Sequence, residues 1–343
     1  MSADCRAARG TQFTLNRART GWPVRLKAFC VSHVKDVDGL GSAALVVAAT
    51  GAEVLLSDYD DLLNNLAVVP PGTEKFVLCD LGADNANLGG LLKGLKRIGE
   101  GAEVTYIDHH FMTPATKRKL KRIGVRLVHD EDECSSMLAY LTFKGSLPER
   151  ARLIALCGAV TDYTDDSPAA RKLMEQADRQ FVLLEATMLA YALSRKGGQD
   201  GFPETVVSEL SKMKYPHEIA GVPRLAVDQL VEVAQLGERV KERGTKMGRL
   251  AYMITDQHST GNVAKLLVGA FEVPVGVALK EKRPGWYEVS LRSTSECRVH
   301  LGRTIDRIAS RLGGNGGGHR KAAGCSVPVS KADAMLRELS KKV

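Results

Sequence analysis

Apolar positions along this chain gather in short runs that end on polar residues, and helical spacing fills the intervals between them. Phe29-Cys30-Val31-Ser32, AEVLL at 52–56, KFVLCD at 75–80, AEVTYID at 102–108 and VRLVHD at 125–130 have the length and composition of buried strands. Helices are predicted between them, in GSAALVVAAT, near 58–67, over 85–98 and near 114–123. Two more apolar helices are expected near 134–144 and 148–161. Strands alternating with helices in this way predict βαβ units, a parallel sheet and helices on both of its faces.

Between about 165 and 245 the strand signal vanishes and the pattern is helical, broken by Gly197-Gly198, Pro203 and Pro216. Alternation resumes with RLAYMIT at 249–255, a helix over 260–271, then PVGVALK and WYEVSLRS. A helix over 300–312 leads into RLGGNGGGHRKAAG, a strand near 322–328 and the amphipathic KADAMLRELSKKV. The expected fold class is α/β. A basic extension covers 1–25, a parallel-sheet domain 26–165, a helical connector 166–245 and a smaller α/β domain 246–343.

Composition narrows the class without naming a function. A length of 343 residues makes two domains the default, and 44% hydrophobic with 26% charged residues excludes disordered and fibrous chains. The balance of 48 basic against 40 acidic residues, a net +8, favours an anionic partner such as nucleic acid or a phosphorylated ligand, although solubility alone accounts for it as well. Seven scattered cysteines form no CxxC pair, and those inside apolar runs read as small core residues rather than a disulfide framework. No apolar run reaches the roughly 18 residues of a membrane span. The start lacks a secretory signal; its arginines resemble an organellar transit peptide or a disordered tail, and a cytoplasmic location is expected by elimination.

Chemistry concentrates at four points. SHVKDVDGLGS carries His33, Asp36, Asp38 and Gly39 after the first strand; Asp80 ends FVLCD; Asp108-His109-His110 ends VTYI; and Asp162 ends LIALCGAVTD. Taken singly, DxDG is a common turn, and Asp80 or Asp162 a common helix cap. Taken together, loops at the carboxyl ends of neighbouring parallel strands converge on one crevice. A partly buried crevice cannot hold that many carboxylates uncompensated, and metal ions resolve the excess. Mixed carboxylate and imidazole ligands suit Mn²⁺, with Mg²⁺, Co²⁺ or Zn²⁺ as alternatives. Two such ions about 3.5–4 Å apart are the standard arrangement for attack at phosphorus. His129, His217, His258 and His300 lack this context and read as surface or capping residues. The run Gly313 to Gly318, followed by His319, reads either as a flexible loop or as a backbone cradle for an anion, with Arg292 and His319 as side-chain donors.

With Asp108-His109-His110, its DxDG partner and GGGHRKAAG at 316–324 in this order, the chain resembles the DHH phosphoesterase superfamily, in the branch with a DHHA1-type C-terminal domain. The resemblance spans roughly 26–343. It implies that His33, Asp36 and Asp80 hold one metal, and Asp38, Asp80, His109 and Asp162 the other. His110 would contact the scissile phosphate, Asp108 would orient the histidines, and Gly316, Gly317, Gly318, His319 and Arg292 would bind substrate. His33 precedes Asp36 by three positions where the family shows two or four, and Lys35 between them offers a phosphate contact instead. The implied activity is two-metal hydrolysis of short oligonucleotides (nanoRNA) or dinucleotides by metal-activated hydroxide, in the compact nanoRNase and cyclic-dinucleotide phosphodiesterase style. The low aromatic content, 5%, argues against an extended base-stacking platform. A RecJ-like exonuclease on longer single strands and a non-catalytic nucleic-acid scaffold are the alternatives. The expected partner is a short RNA or DNA substrate, with a homodimer open and no membrane.

Overall fold

The computed structural model describes residues 27–83, 87–196, 199, 201–256 and 259–343. The basic extension 1–25, Gly197-Gly198 and His258 lie outside the described residues. The chain divides into two compact units, Met1–Val227 and Asp228–Val343.

In the first unit β1 (Ala28–His33), α1 (Val37–Thr50), β2 (Glu53–Ser57), α2 (Leu62–Ala67), β3 (Lys75–Cys79), α3 (Leu88–Gly99), β4 (Glu103–Asp108), α4 (Pro114–Arg122) and β5 (Arg126–His129) alternate. The helices α5 (Ser135–Phe143), α6 (Ala151–Thr161), α7 (Pro168–Met174), α8 (Arg179–Lys196), α9 (Phe202–Ser211) and α10 (Val222–Arg243) follow, the last running into the second unit. The five strands form one parallel sheet in the order β2-β1-β3-β4-β5. Both faces are apolar, as the continuous apolar runs require. Ala28, Cys30, Val77 and Cys79 face a core with α1, α5 and α6, while Phe29, Val31, Phe76 and Leu78 face α2, α3 and α4. Leu173, Val182, Leu189, Val206 and Leu210 join the first of these cores, so the helices expected as a connector pack, as far as Val222, into the body of this unit.

The second unit holds β6 (Thr245–Met247), β7 (Leu250–Ile254), α11 (Thr260–Phe271), β8 (Val275–Arg283), β9 (Trp286–Ser293), α12 (Leu301–Arg311), β10 (Asn315–Gly318), β11 (Ala322–Pro328) and α13 (Ala332–Ser340). Its sheet has six strands in the order β10-β11-β9-β8-β7-β6, with only β7 and β8 parallel. The glycine run differs from the loop expected of it. Asn315–Gly318 is an edge strand, antiparallel to β11. The lack of side chains lets it lie close to α12, where a Cβ on Gly302 would stand 2.0 Å from the Gly318 carbonyl oxygen.

Candidate metal centre

The order 2-1-3-4-5 reverses between β1 and β3, and ligands of such sheets bind where the strand order reverses, beyond the carboxyl ends. Register aligns the strand ends into a row. His33 pairs with Ser57 on one side, Cys79 with Ile107, and Asp108 with His129, so Asp80 falls between His33 and Asp108. The Asp80 amide donates to the Ile107 carbonyl at 3.0 Å and then turns out of the strand at φ 58°, a left-handed conformation that a non-glycine residue adopts at some cost.

The DxDG segment is the start of a helix rather than a turn. Asp36 is the N-cap of α1 and accepts from the Gly39 amide at 2.9 Å, which puts Asp38 in the first turn and buries it. Gly39 is required there, because a Cβ would lie 2.4 Å from the His33 carbonyl oxygen. Asp38 accepts from the amides of Ser135 and Ser136, both at 2.8 Å, at the N-terminus of α5. Asp162 is the C-cap of α6, and its neighbour Tyr163 is also left-handed at φ 61°.

These elements bring six predicted residues together. His33 Nδ1 stands 3.0 Å from Asp36 Oδ2 and 3.6 Å from Asp80 Oδ2. His109 Nε2 stands 3.3 Å from Asp80 Oδ1 and 3.6 Å from Asp38 Oδ2, and its Nδ1 lies 3.4 Å from Asp162 Oδ2. The two oxygens of Asp80 thus face two separate groups, His33 with Asp36 and His109 with Asp38 and Asp162. In each of the sets His33–Asp36–Asp80 and Asp38–His109–Asp162, one ligand atom per residue lies within 4.8 Å of the others. Asp108 is fully buried behind them, its Oδ1 2.8 Å from His110 Nδ1, while its Oδ2 accepts no hydrogen bond among the described residues.

Electrostatics is crowded at this edge. Burial, then the charge of Asp80, pushes Asp38 up to about 7. Burial raises Asp162 too, against the opposing pull of His109. Burial would also raise Asp80, but His109 and His33 hold it well below the usual carboxylate range. Burial would lower the histidines, and the carboxylates reverse this, taking His33 to about 11 through Asp36 and raising His110 through Asp108. Oxygen and imidazole donors crowded at these distances, with a buried carboxylate oxygen of Asp162 accepting no hydrogen bond among the described residues, fit hard or borderline divalent cations.

Several contributors escaped the sequence reading. His129, read as a surface or capping residue, ends β5 in the same row, and its Nε2 lies 2.7 Å from the His110 carbonyl oxygen. Its place at the end of a strand of the same sheet was the available signal. Ser135 donates its hydroxyl to Asp80 Oδ1 at 3.0 Å while its amide holds Asp38. Tyr59 OH accepts from the Gly82 amide at 3.2 Å and stands 3.3 Å from His110 Nε2, with no sequence signal to mark it. Lys35 pairs with Asp58. His300 caps α12, accepting from the Arg303 amide at 3.3 Å, as a capping role requires. The remaining predicted residues belong to the second unit. Arg292 lies on β9 opposite Ala322, Gly316, Gly317 and Gly318 on β10, and the His319 amide donates to the Ala322 carbonyl at 2.7 Å.

Residues 248–343, the glycine strand included, match the DHHA1 domain family. This match covers the last 96 of the 343 residues, and beyond it the resemblance of the chain to the DHH/DHHA1 phosphoesterase superfamily is one of fold. An uncharacterized protein from Methanocaldococcus jannaschii is 24% identical over 240 residues, which cover 67% of this chain and 61% of that protein, so the match leaves more than a third of the relative unspanned. Among solved structures, the pGpG-specific phosphodiesterase PggH from Vibrio cholerae aligns with TM-score 0.55 and 12% identity, over 92% of this chain and 98% of its own. RecJ from Thermus thermophilus in complex with Mn²⁺ aligns with TM-score 0.60 and 19% identity, over 92% of this chain and 52% of its own. At these identities the likeness is one of fold. The chain therefore shares its fold with these two proteins, and among its described residues no helix is long and apolar enough to cross a membrane.

Proposed function

We propose that this protein is a two-metal phosphodiesterase acting on short oligonucleotides or dinucleotides. One observation carries the reading: Asp80 turns one oxygen toward His33 and the other toward His109, the posture of a carboxylate shared between two cation sites. In this reading His33, Asp36 and Asp80 hold one ion, and Asp38, Asp80, His109 and Asp162 the other. Bound Mn²⁺, or Mg²⁺, Co²⁺ or Zn²⁺ in its place, supplies Lewis acidity that activates water and neutralises charge on phosphoryl oxygens.

The chain's own residues do the rest. Asp108 accepts from His110 Nδ1 and keeps the imidazole protonated, so that Nε2 can donate to a phosphoryl oxygen of the scissile group. Tyr59, beside that nitrogen, limits the ring to one orientation. Ser135 fixes Asp80 and Asp38 together and so orients two carboxylates beside His109. In the second unit Arg292, Gly316, Gly317, Gly318 and His319 are proposed as substrate-binding residues; the buried Nε of Arg292 has no hydrogen-bond partner among the described residues, which leaves a donor for an anion.

The test is hydrolysis of a labelled RNA ladder from two to thirty nucleotides, beside linear and cyclic di-AMP, with each divalent ion in turn. Rates highest on the shortest substrates, abolished by Asp80→Ala in a protein that still folds, are the expected result. Rates that rise with length favour the RecJ-like reading, for which the exposed cations Arg118, Lys119, Lys121 and Arg122 of α4 supply a surface. Turnover that survives Asp80→Ala overturns the two-metal assignment.

A further inference from the structure

The first unit contains a second concavity that the proposed reaction leaves unused. A cavity of about 290 Å³ lies at the start of α6, walled by Arg150, Arg152, Leu153 and Leu156 together with Phe181 and Tyr215. That volume is near the lower edge of the roughly 300–1,000 Å³ range of small-ligand sites. It holds none of the metal-centre residues.

Its lining has a definite chemical profile. Phe181 and Tyr215 meet edge to face, ring centroids 5.3 Å apart, and Phe181 is 36% exposed. The Arg150 guanidinium lies 3.9 Å from the Tyr215 ring centroid, and its side chain is 49% exposed. A guanidinium stacked on one ring extends a flat surface on which a nucleobase can stack in turn. Among the described residues Arg152 pairs with Glu149 at 3.1 Å, whose side chain is 81% exposed. Such surface pairs are weak and yield to a phosphate that can take both arms of the fork. The other acid of the wall, Asp178, is committed to the Phe181 amide at 2.8 Å. Apolar floor, stacking surface and cationic fork together select a planar aromatic ring carrying an anionic tail.

We propose that this cavity is a second ligand site, for a nucleoside monophosphate, with the base against Phe181 and Arg150 and the phosphate on Arg152. The choice of a nucleotide among aromatic anions rests on the proposed reaction, which releases nucleoside monophosphates; the site itself rests on the cavity. The eleven residues of α6 lead from its N-cap Arg150 to its C-cap Asp162, about 18 Å at 1.5 Å per residue, so a bound product sits at the far end of the helix that presents Asp162.

The full-length protein, kept metal-free with EDTA, is titrated calorimetrically with AMP, and with adenosine and inorganic phosphate as comparisons. AMP is expected to bind more tightly than either fragment. Phe181→Ala and Arg152→Glu, each checked for an unchanged melting curve, are expected to weaken AMP about tenfold or more, the scale of one stacking contact, and to leave the basal rate on the RNA ladder as it was. Asp80→Ala and His319→Ala are expected to leave AMP affinity intact. If Phe181→Ala fails to fold, Arg152→Glu decides. No AMP binding, or binding lost in Asp80→Ala or His319→Ala and untouched in the cavity variants, overturns the proposal. Absence of hydrolysis on every substrate while AMP still binds here removes the reaction and leaves the site; hydrolysis without AMP binding does the reverse.

Discussion

Ser135 shows how much of the centre depends on residues that touch no reacting atom. Its amide holds Asp38 and its hydroxyl holds the Asp80 oxygen that faces His109, so one residue fixes two of the ligands on that side. Ser135→Ala is expected to lower metal affinity roughly 10–100-fold, the usual cost of losing an outer partner of a ligand, with little change in melting temperature; calorimetric Mn²⁺ titration checks it. Asp38 adds a pH dependence. In the metal-free protein burial keeps its proton to about 7, where an unburied aspartate loses it near 4, and a cation must displace that proton at any lower pH. Apparent Mn²⁺ affinity is therefore expected to rise between about pH 5.5 and 8, with proton release at the acid end. Titrations in buffers of different ionisation enthalpy measure both. Constant affinity across that range would contradict a buried, proton-competed Asp38.

At the level of elements, α6 carries a glycine whose role reverses the usual propensity argument. Alanine in a helix interior is better than glycine by about 1 kcal/mol. At Gly158 a Cβ would stand 1.9 Å from Ser136 Oγ and 2.7 Å from Asp38 Oδ1, and overpacking of this kind costs about 1–3 kcal/mol. Gly158→Ala is expected to lose stability on balance and to weaken Mn²⁺ binding, read by thermal melting with and without the ion. The elements themselves were largely legible, because buried parallel strands write continuous apolar runs and helices write a 3.6-residue period. β10 was not: four residues of Asn315-Gly316-Gly317-Gly318 carry no side-chain alternation, and only pairing with β11 makes them a strand. The three-residue β6 is too short to show a period. The start of α1 at Val37 was hidden because Asp and Gly serve turns and helix starts alike. Of the site, the acids and histidines stood out by type, whereas Tyr59 and Ser135 reach it through the fold and have no local signature.

The whole molecule consists of two units, each with hydrophobic cores of its own. All the proposed metal ligands belong to the first. Two calorimetric transitions are expected, of which Mn²⁺ raises only one, by about 2.7 kcal/mol in stability at 100 times its dissociation constant. A single transition, or a metal effect on both, would show that the units unfold together. The row of strand ends Ser57, His33, Asp80, Asp108 and His129 has a further consequence, for the history of the chain rather than its chemistry. Each residue of the row sits at a fixed count from its strand's pairing register, and a slip of one residue turns a side chain to the opposite face. Deletions near the carboxyl edge therefore remove a ligand outright, while the loops that enter the strands at the other edge are free to lengthen or shorten. Descendants of a common ancestor should accordingly scatter their insertions on that far edge and drift freely in the strand bodies, leaving a short, rigidly spaced signature as the only text they still share.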